Sequence, residues 1–213
     1  MKSKKSTRSK PAAAALQLRE IDHTYWCGPE RIIGTTEALV LLGIFDPTRY
    51  PVEARDRGDR VHRHTAARDV GRRKRHPLEP TDRPYVVSWD EYLAIWLPEF
   101  VLVEAQLWHP DLRVAGTVDR VAIIRRRGVR PHLATIDLKT GDREPWHRYQ
   151  LSIYQLLVDR WLQTQPKRLQ ALPRINYSVY LRSDGREPLV RAVEFEPVVT
   201  SFIAAAQTKR LLL

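Results

Sequence analysis

Three stretches decide the fold: Gly116-Thr117-Val118-Asp119, then Ile136-Asp137-Leu138-Lys139-Thr140-Gly141, then Gln150-Leu151-Ser152-Ile153-Tyr154. The first lies in residues 113–125, which read as a strand that is apolar on both faces over its centre. Arg126-Arg127-Gly128 turns the chain, and residues 133–139 run back as a second strand. Residues 145–163 read as a helix, with Trp146, Gln150, Ile153, Leu157 and Trp161 at helical spacing. Side chains two apart on a strand share a face, so Asp137 and Lys139 point the same way. Asp119 shares its face with Thr117, Val121 and Ile123. Gln150 and Tyr154 lie one helical turn apart and can face one site.

Working outward, residues 101–108 are a strand candidate, closed by the turn His109-Pro110-Asp111. Residues 175–181 and 189–195 form a second hairpin across Ser183-Asp184-Gly185, and residues 198–213 a terminal helix. Upstream, residues 20–25 look like a short strand and Cys27-Gly28-Pro29 like a turn. Thr35 or Thr36 is placed to cap a helix that Gly43 stops. A helix is expected from Pro51 to about Val70, then a basic loop, then a helix from Trp89 to Trp96 capped by Ser88. Helix, three strands, helix, strand implies an α/β fold: a central mixed β-sheet flanked by helices. Residues 19–213 form one domain, and residues 1–18 a basic disordered tail in which like charges repel.

Composition narrows the partners. The 213 residues carry a formal net charge of +11, a field that concentrates polyanions, so nucleic acid is the first partner to consider. Cys27 is the one cysteine, which excludes a disulfide framework or a zinc cluster. No apolar run approaches the ~20 residues that span a bilayer, so no membrane partner is expected and a cytoplasmic setting follows, bacterial or in a phage-infected host. Between Pro11 and Pro166 only Lys74 and Lys139 are lysines, while arginine is abundant. A lysine kept at 139 is a point charge that arginine does not replace.

An acid among aliphatic neighbours, such as Asp119, needs a cation to be buried. A metal ion would serve and so would Lys139; a simple salt bridge at a strand end is the bland alternative. Two carboxylates and an ammonium at the end of a sheet suit phosphodiester hydrolysis, where magnesium or manganese takes hard oxygen ligands and activates water. Lys139 would orient the water, deprotonate it or stabilise the charged transition state; these roles stay open. Each supporting residue has a bland reading too. His62 fits an exposed position on an Arg-rich helix, Glu104 a surface ion pair, and Gln150 and Tyr154 buried positions with a satisfied polar tip. Arg72, Arg73, Lys74 and Arg75 form the densest basic cluster, either a solvated loop or one that tracks phosphates.

The order Gly116-x-x-Asp119, Asp137-x-Lys139, Gln150-x-x-x-Tyr154 resembles the PD-(D/E)XK nuclease superfamily, and within it the RecB-type branch that includes many phage exonucleases. Gly58-x-x-x-His62 fits the helix motif that precedes the core in that branch. The likeness covers roughly residues 20–160. It implies a restriction-endonuclease-like core, with His62, Asp119, Asp137 and the Leu138 carbonyl binding Mg2+ or Mn2+ and Lys139 as the catalytic lysine. Gln150 and Tyr154 would occupy the positions of the branch's Gln-x-x-x-Tyr motif. Glu104 matches the acid often found on the strand before Gly-x-x-Asp. Residues 33–39 are loosely similar to the Pro-Ser-Val-Thr-x-x-Leu segment of these exonucleases, with Gly34 in place of Ser and Thr35 in place of Val, which makes Thr35 and Thr36 candidate DNA contacts.

The expected function is metal-dependent hydrolysis of DNA from an end, single- or double-stranded and without sequence reading, in recombination, repair or phage replication with a possible partner protein. The rivals are an inactive DNA-binding accessory protein of the same fold and an endonuclease of the same superfamily.

Overall fold

The computed structural model describes residues 15–72 and 76–212. In chain order these form β1 (Leu16–Arg19), β2 (Thr24–Cys27), β3 (Glu30–Gly34), α1 (Thr35–Leu41), α2 (Val52–Asp69), α3 (Arg83–Trp96) and β4 (Glu99–His109). There follow β5 (Val114–Ile124), β6 (His132–Lys139), α4 (His147–Leu162), the short α5 (Lys167–Gln170), β7 (Arg174–Tyr180), β8 (Leu189–Val193) and α6 (Val199–Leu211). The fold is α/β, with a mixed eight-stranded sheet between helices.

β5 is the hub. Its side chains are buried almost without a break, as expected of a strand covered on both faces. One edge is paired along its length by antiparallel β4. The other edge is divided: residues 120–124 pair with antiparallel β6, and Val114 and Ala115 pair with parallel β3. Residues 116–119 lie where β6 and β3 part, so the Gly116–Asp119 motif sits at a split in the sheet. β6 and β7 are parallel, and the chain crosses between them through α4 and α5.

The two faces of the sheet hold two cores. On one, Ala38 and Leu39 of α1, Leu151, Leu157 and Val158 of α4, and Ile203 of α6 meet Val118, Val121 and Leu133. α4 is buried nearly all round because the sheet lies on one side and α6 on the other. On the second face, Val61 of α2 with Trp89 and Tyr92 of α3 pack on Ala122, Ile124, Ala134 and Ile136. No helix among the described residues is long and apolar enough to cross a membrane.

Four sequence expectations change. Neither Thr35 nor Thr36 caps α1: the helix begins at Thr35 and its N-cap is Gly34. The tail expected over residues 1–18 gives way to β1, which pairs with β2 from Leu16 onward; residues 1–14 lie outside the described part. Of the strand expected at 20–25 only Thr24 and Tyr25 are strand, the start of β2; residues 20–23 are a turn held by Asp22, which accepts hydrogen bonds from Arg19 Nε (2.9 Å) and Thr24 Oγ1 (2.8 Å). Ser88 does not cap α3: the helix begins at Arg83, where Pro84 in the first turn removes no needed donor. Ser88 is buried and accepts a bond from the Arg182 N–H at 3.1 Å.

Candidate functional site

The split in β5 creates the site. Pairing with β6 stops at Arg120 and Ile136, and the next β6 donor needed, the Leu138 N–H, is taken by Asp119 Oδ2 at 2.7 Å. A buried carboxylate thereby fills a gap in the ladder. Close approach from the opposite side depends on Gly116. A Cβ there would lie 2.6 Å from Thr35 Oγ1 and 3.1 Å from both Leu157 and Tyr154.

Glu104 lies on β4 across from Asp119, between the registered pairs Val103–Arg120 and Ala105–Val118. Two acids facing each other across a ladder repel. The Glu104 backbone is also left-handed, with φ +47°, a conformation that L side chains adopt at a cost and that tends to persist at functional sites. The cationic partner arrives from α2: His62 Nδ1 is 3.6 Å from both Glu104 Oε1 and Asp119 Oδ2. His62 Nε2 is 3.1 Å from the Leu138 carbonyl. With Nε2–H donating there, Nδ1 is the nitrogen turned toward the carboxylates. One donor atom each from His62, Glu104 and Asp119 fall within 4.8 Å of one another.

The electrostatics fit a site that wants more positive charge. Burial, together with the Asp137 and Glu104 carboxylates, pushes Asp119 up to about 7 against the pull of His62 and Lys139. Burial opposes charge on His62, but Asp119 and Glu104 outweigh it and raise the imidazole to about 9. Burial disfavours the Glu104 carboxylate too, yet His62 and Arg120 hold it below its usual range.

Beside this group lies a second constellation. Lys139 Nζ is 2.9 and 3.0 Å from the two oxygens of buried Asp137 and donates to Gln150 Oε1 at 2.7 Å. Gln150 Nε2 donates to the Tyr154 hydroxyl at 3.0 Å. The ammonium also stands 5.1 Å from the Trp146 ring centroid. Burial first, then Asp119 and Asp137, raise the Tyr154 phenol well above its normal value, so it stays protonated.

The structure thus brings together His62, Glu104, Asp119, Asp137, Leu138, Lys139, Gln150 and Tyr154. It divides them differently from the expectation. Glu104 joins the donor group, while Asp137 is turned to Lys139, and the Leu138 carbonyl accepts from His62. The candidate DNA contacts fare unequally. Thr35 is buried with its hydroxyl donating to the Ala115 carbonyl at 3.0 Å, which makes it a packing residue. Exposed Thr36 and Arg72 line the open cleft of about 1320 Å³ that leads to the site. Arg73, Lys74 and Arg75 lie outside the described residues. Arg55 and Arg63 of α2 line the same cleft.

Sequence reasoning missed Arg120. It is fully buried and bound to Glu104, Asp69 and Thr65. The available signal was an arginine inside an apolar strand, on the face of Ala122 and Ile124, where only an acidic partner makes burial tolerable.

No family model matches the chain, and no curated protein matches it. The solved structure of SSO0001 is similar over 85% of this chain and 76% of its own, with 14% identity and a TM-score of 0.40.

Proposed function

We propose that this chain is a divalent-metal-dependent nuclease of the PD-(D/E)XK kind that hydrolyses DNA phosphodiester bonds, working from ends. The observation that carries the reading is the meeting of His62, Glu104 and Asp119 within 4.8 Å, next to a lysine anchored by Asp137 and Gln150. One nitrogen and carboxylate oxygens are donors that suit Mg2+ or Mn2+. Two opposed acids, one with its carboxyl shifted up by burial and its neighbours, form a donor set that a dication relieves. When bound, such an ion supplies a Lewis acid for a phosphoryl oxygen and acidifies water.

The chain's own residues supply the rest. His62, Glu104 and Asp119 would hold the ion. Lys139 presents a fixed positive charge, which Asp137 and Gln150 stop from swinging into solvent. That charge is placed to orient the attacking water or to stabilise the phosphoryl oxygens as negative charge develops on them. Tyr154, kept protonated, fixes the Gln150 amide so that its oxygen faces Lys139. Arginines along the cleft bind phosphates and read no bases.

The test is a time course with purified protein and Mg2+ or Mn2+ on matched linear and closed circular DNA, single- and double-stranded, beside Asp119→Ala. Loss of linear DNA alone, abolished in the variant and by EDTA, is the expected result. Cutting of circles would make the protein an endonuclease. Binding without cleavage of any substrate would overturn the catalytic reading.

A further inference from the structure

We infer that Arg120 is a positioning residue that preassembles the metal-binding group, and this rests on the nuclease reading above. Arg120 has no exposed surface, and all three of its guanidinium nitrogens are engaged. Nε donates to Asp69 Oδ2 at 2.6 Å and Nη2 to Thr65 Oγ1 at 3.0 Å. Nη1 donates to Glu104 Oε1 at 2.9 Å and to the Asp119 carbonyl at 2.8 Å. The guanidinium also lies 5.8 Å from the Trp89 ring centroid.

Burying one guanidinium calls for one carboxylate, and Asp69, equally buried, already provides it. The second carboxylate is not needed for neutrality. It belongs to Glu104, whose side chain is 32% exposed toward the cleft and whose backbone is held left-handed opposite Asp119. Thr65 stands three residues after His62, and its hydroxyl also lies 3.1 Å from the His62 carbonyl. One side chain therefore touches each of the three elements that supply a donor: β4 at Glu104, β5 at the Asp119 carbonyl, and the turn of α2 that carries His62. The planar fork fixes their mutual positions, a task for which a lysine ammonium lacks the geometry. Loss of such an outer partner lowers metal affinity even though it touches no metal.

The test uses Mn2+ alone, titrated by calorimetry into the full chain, with thermal melting in parallel. Arg120→Lys keeps the charge and loses the fork; it is expected to weaken Mn2+ binding by at least about tenfold. Its effect should be non-additive with Glu104→Gln, because both act on the same carboxylate. Thr65→Val removes one acceptor of the fork at nearly constant shape and should weaken Mn2+ binding severalfold, which keeps the inference testable if Arg120→Lys folds poorly. Asp69→Asn should lower the melting temperature more than it lowers Mn2+ affinity. If wild type binds Mn2+ and both Arg120→Lys and Thr65→Val bind it equally well, Arg120 only holds the fold and the inference is overturned. If wild type binds no Mn2+, the metal reading itself falls and takes the inference with it.

Discussion

At the residue scale, the most informative pair is Lys139 and His147, two basic groups near one another in different surroundings. Lys139 faces the Asp137 carboxylate and the Gln150 amide oxygen. Lys139→Met should reduce cleavage by at least about a hundredfold, the order expected for a lost electrostatic stabiliser, while Mn2+ affinity stays close to wild type. Lys139→Arg should not restore the rate, since a planar fork does not fit a pocket built around a point charge. Single-turnover kinetics with parallel calorimetry would check both. His147 is different. Its Nδ1 faces the Glu144 N–H at 3.3 Å and the Tyr180 hydroxyl at 3.1 Å, so it serves as an acceptor and belongs to a neutral ring. Burial, and then Lys139, pull it down to about 3. An unfolded histidine titrates near ~6.5, so between about 3 and 6.5 the unfolded chain binds the extra proton. His147 therefore favours folding fully above that window, and the benefit is lost as pH falls through it. His147→Asn, which keeps an acceptor but does not titrate, should flatten the fall in urea-melt stability between pH 7 and pH 4; an unchanged slope would show that the ring is already charged.

At the element scale, legibility followed the length and burial of each segment. β5, β6 and α4 are legible within a residue or two because long runs covered on both faces leave an unbroken apolar signature. β1, β2 and β3 are four or five residues each and partly exposed, too short to show a period, and the Asp22 turn between β1 and β2 has a sequence that reads as strand. The carboxylates were visible from their spacing, but their division of labour was not. That division depends on the left-handed kink at Glu104 and on the parting of β6 from β3, and both are consequences of pairing between distant strands. Gly116 is where spacing and packing meet. Gly116→Ala would drive a methyl into Thr35, whose hydroxyl is already tied to Ala115, and against Leu157 and Tyr154 of α4. Overpacking of this kind costs about 1–3 kcal/mol. Because Tyr154 and Gln150 ride on the same helix, the variant should also lose activity under conditions where it is still folded. Urea melts beside cleavage rates would show this, and a variant as stable and active as wild type would mean that α4 gives way freely.

At the scale of the whole molecule, the charge is unevenly spread. Five cations and no acid occur in the first ten residues, and three more at Arg73, Lys74 and Arg75, so these two segments hold most of the +11 excess. Among the described residues, Arg55 and Arg63 line the cleft wall, and neither has an ion-pair partner there. Such a distribution suits binding by phosphate neutralisation, in which each contacted phosphate releases condensed counterions and affinity falls steeply with salt. Two classes of cation then differ in what they do. A chain lacking residues 1–14 should bind DNA more weakly with a shallower salt dependence, yet cleave bound DNA at the wild-type single-turnover rate, because the proposed chemistry is carried by His62, Glu104, Asp119 and Lys139. Arg55→Ala and Arg63→Ala should each reduce the log–log salt slope by about one and also slow the bound reaction, because they flank the path to Lys139. Fluorescence anisotropy across a salt series, paired with single-turnover cleavage, separates the two effects. If the cleft substitutions leave both the slope and the rate unchanged, the strand does not run along α2, and the positive field only gathers DNA to a site that it enters from another side.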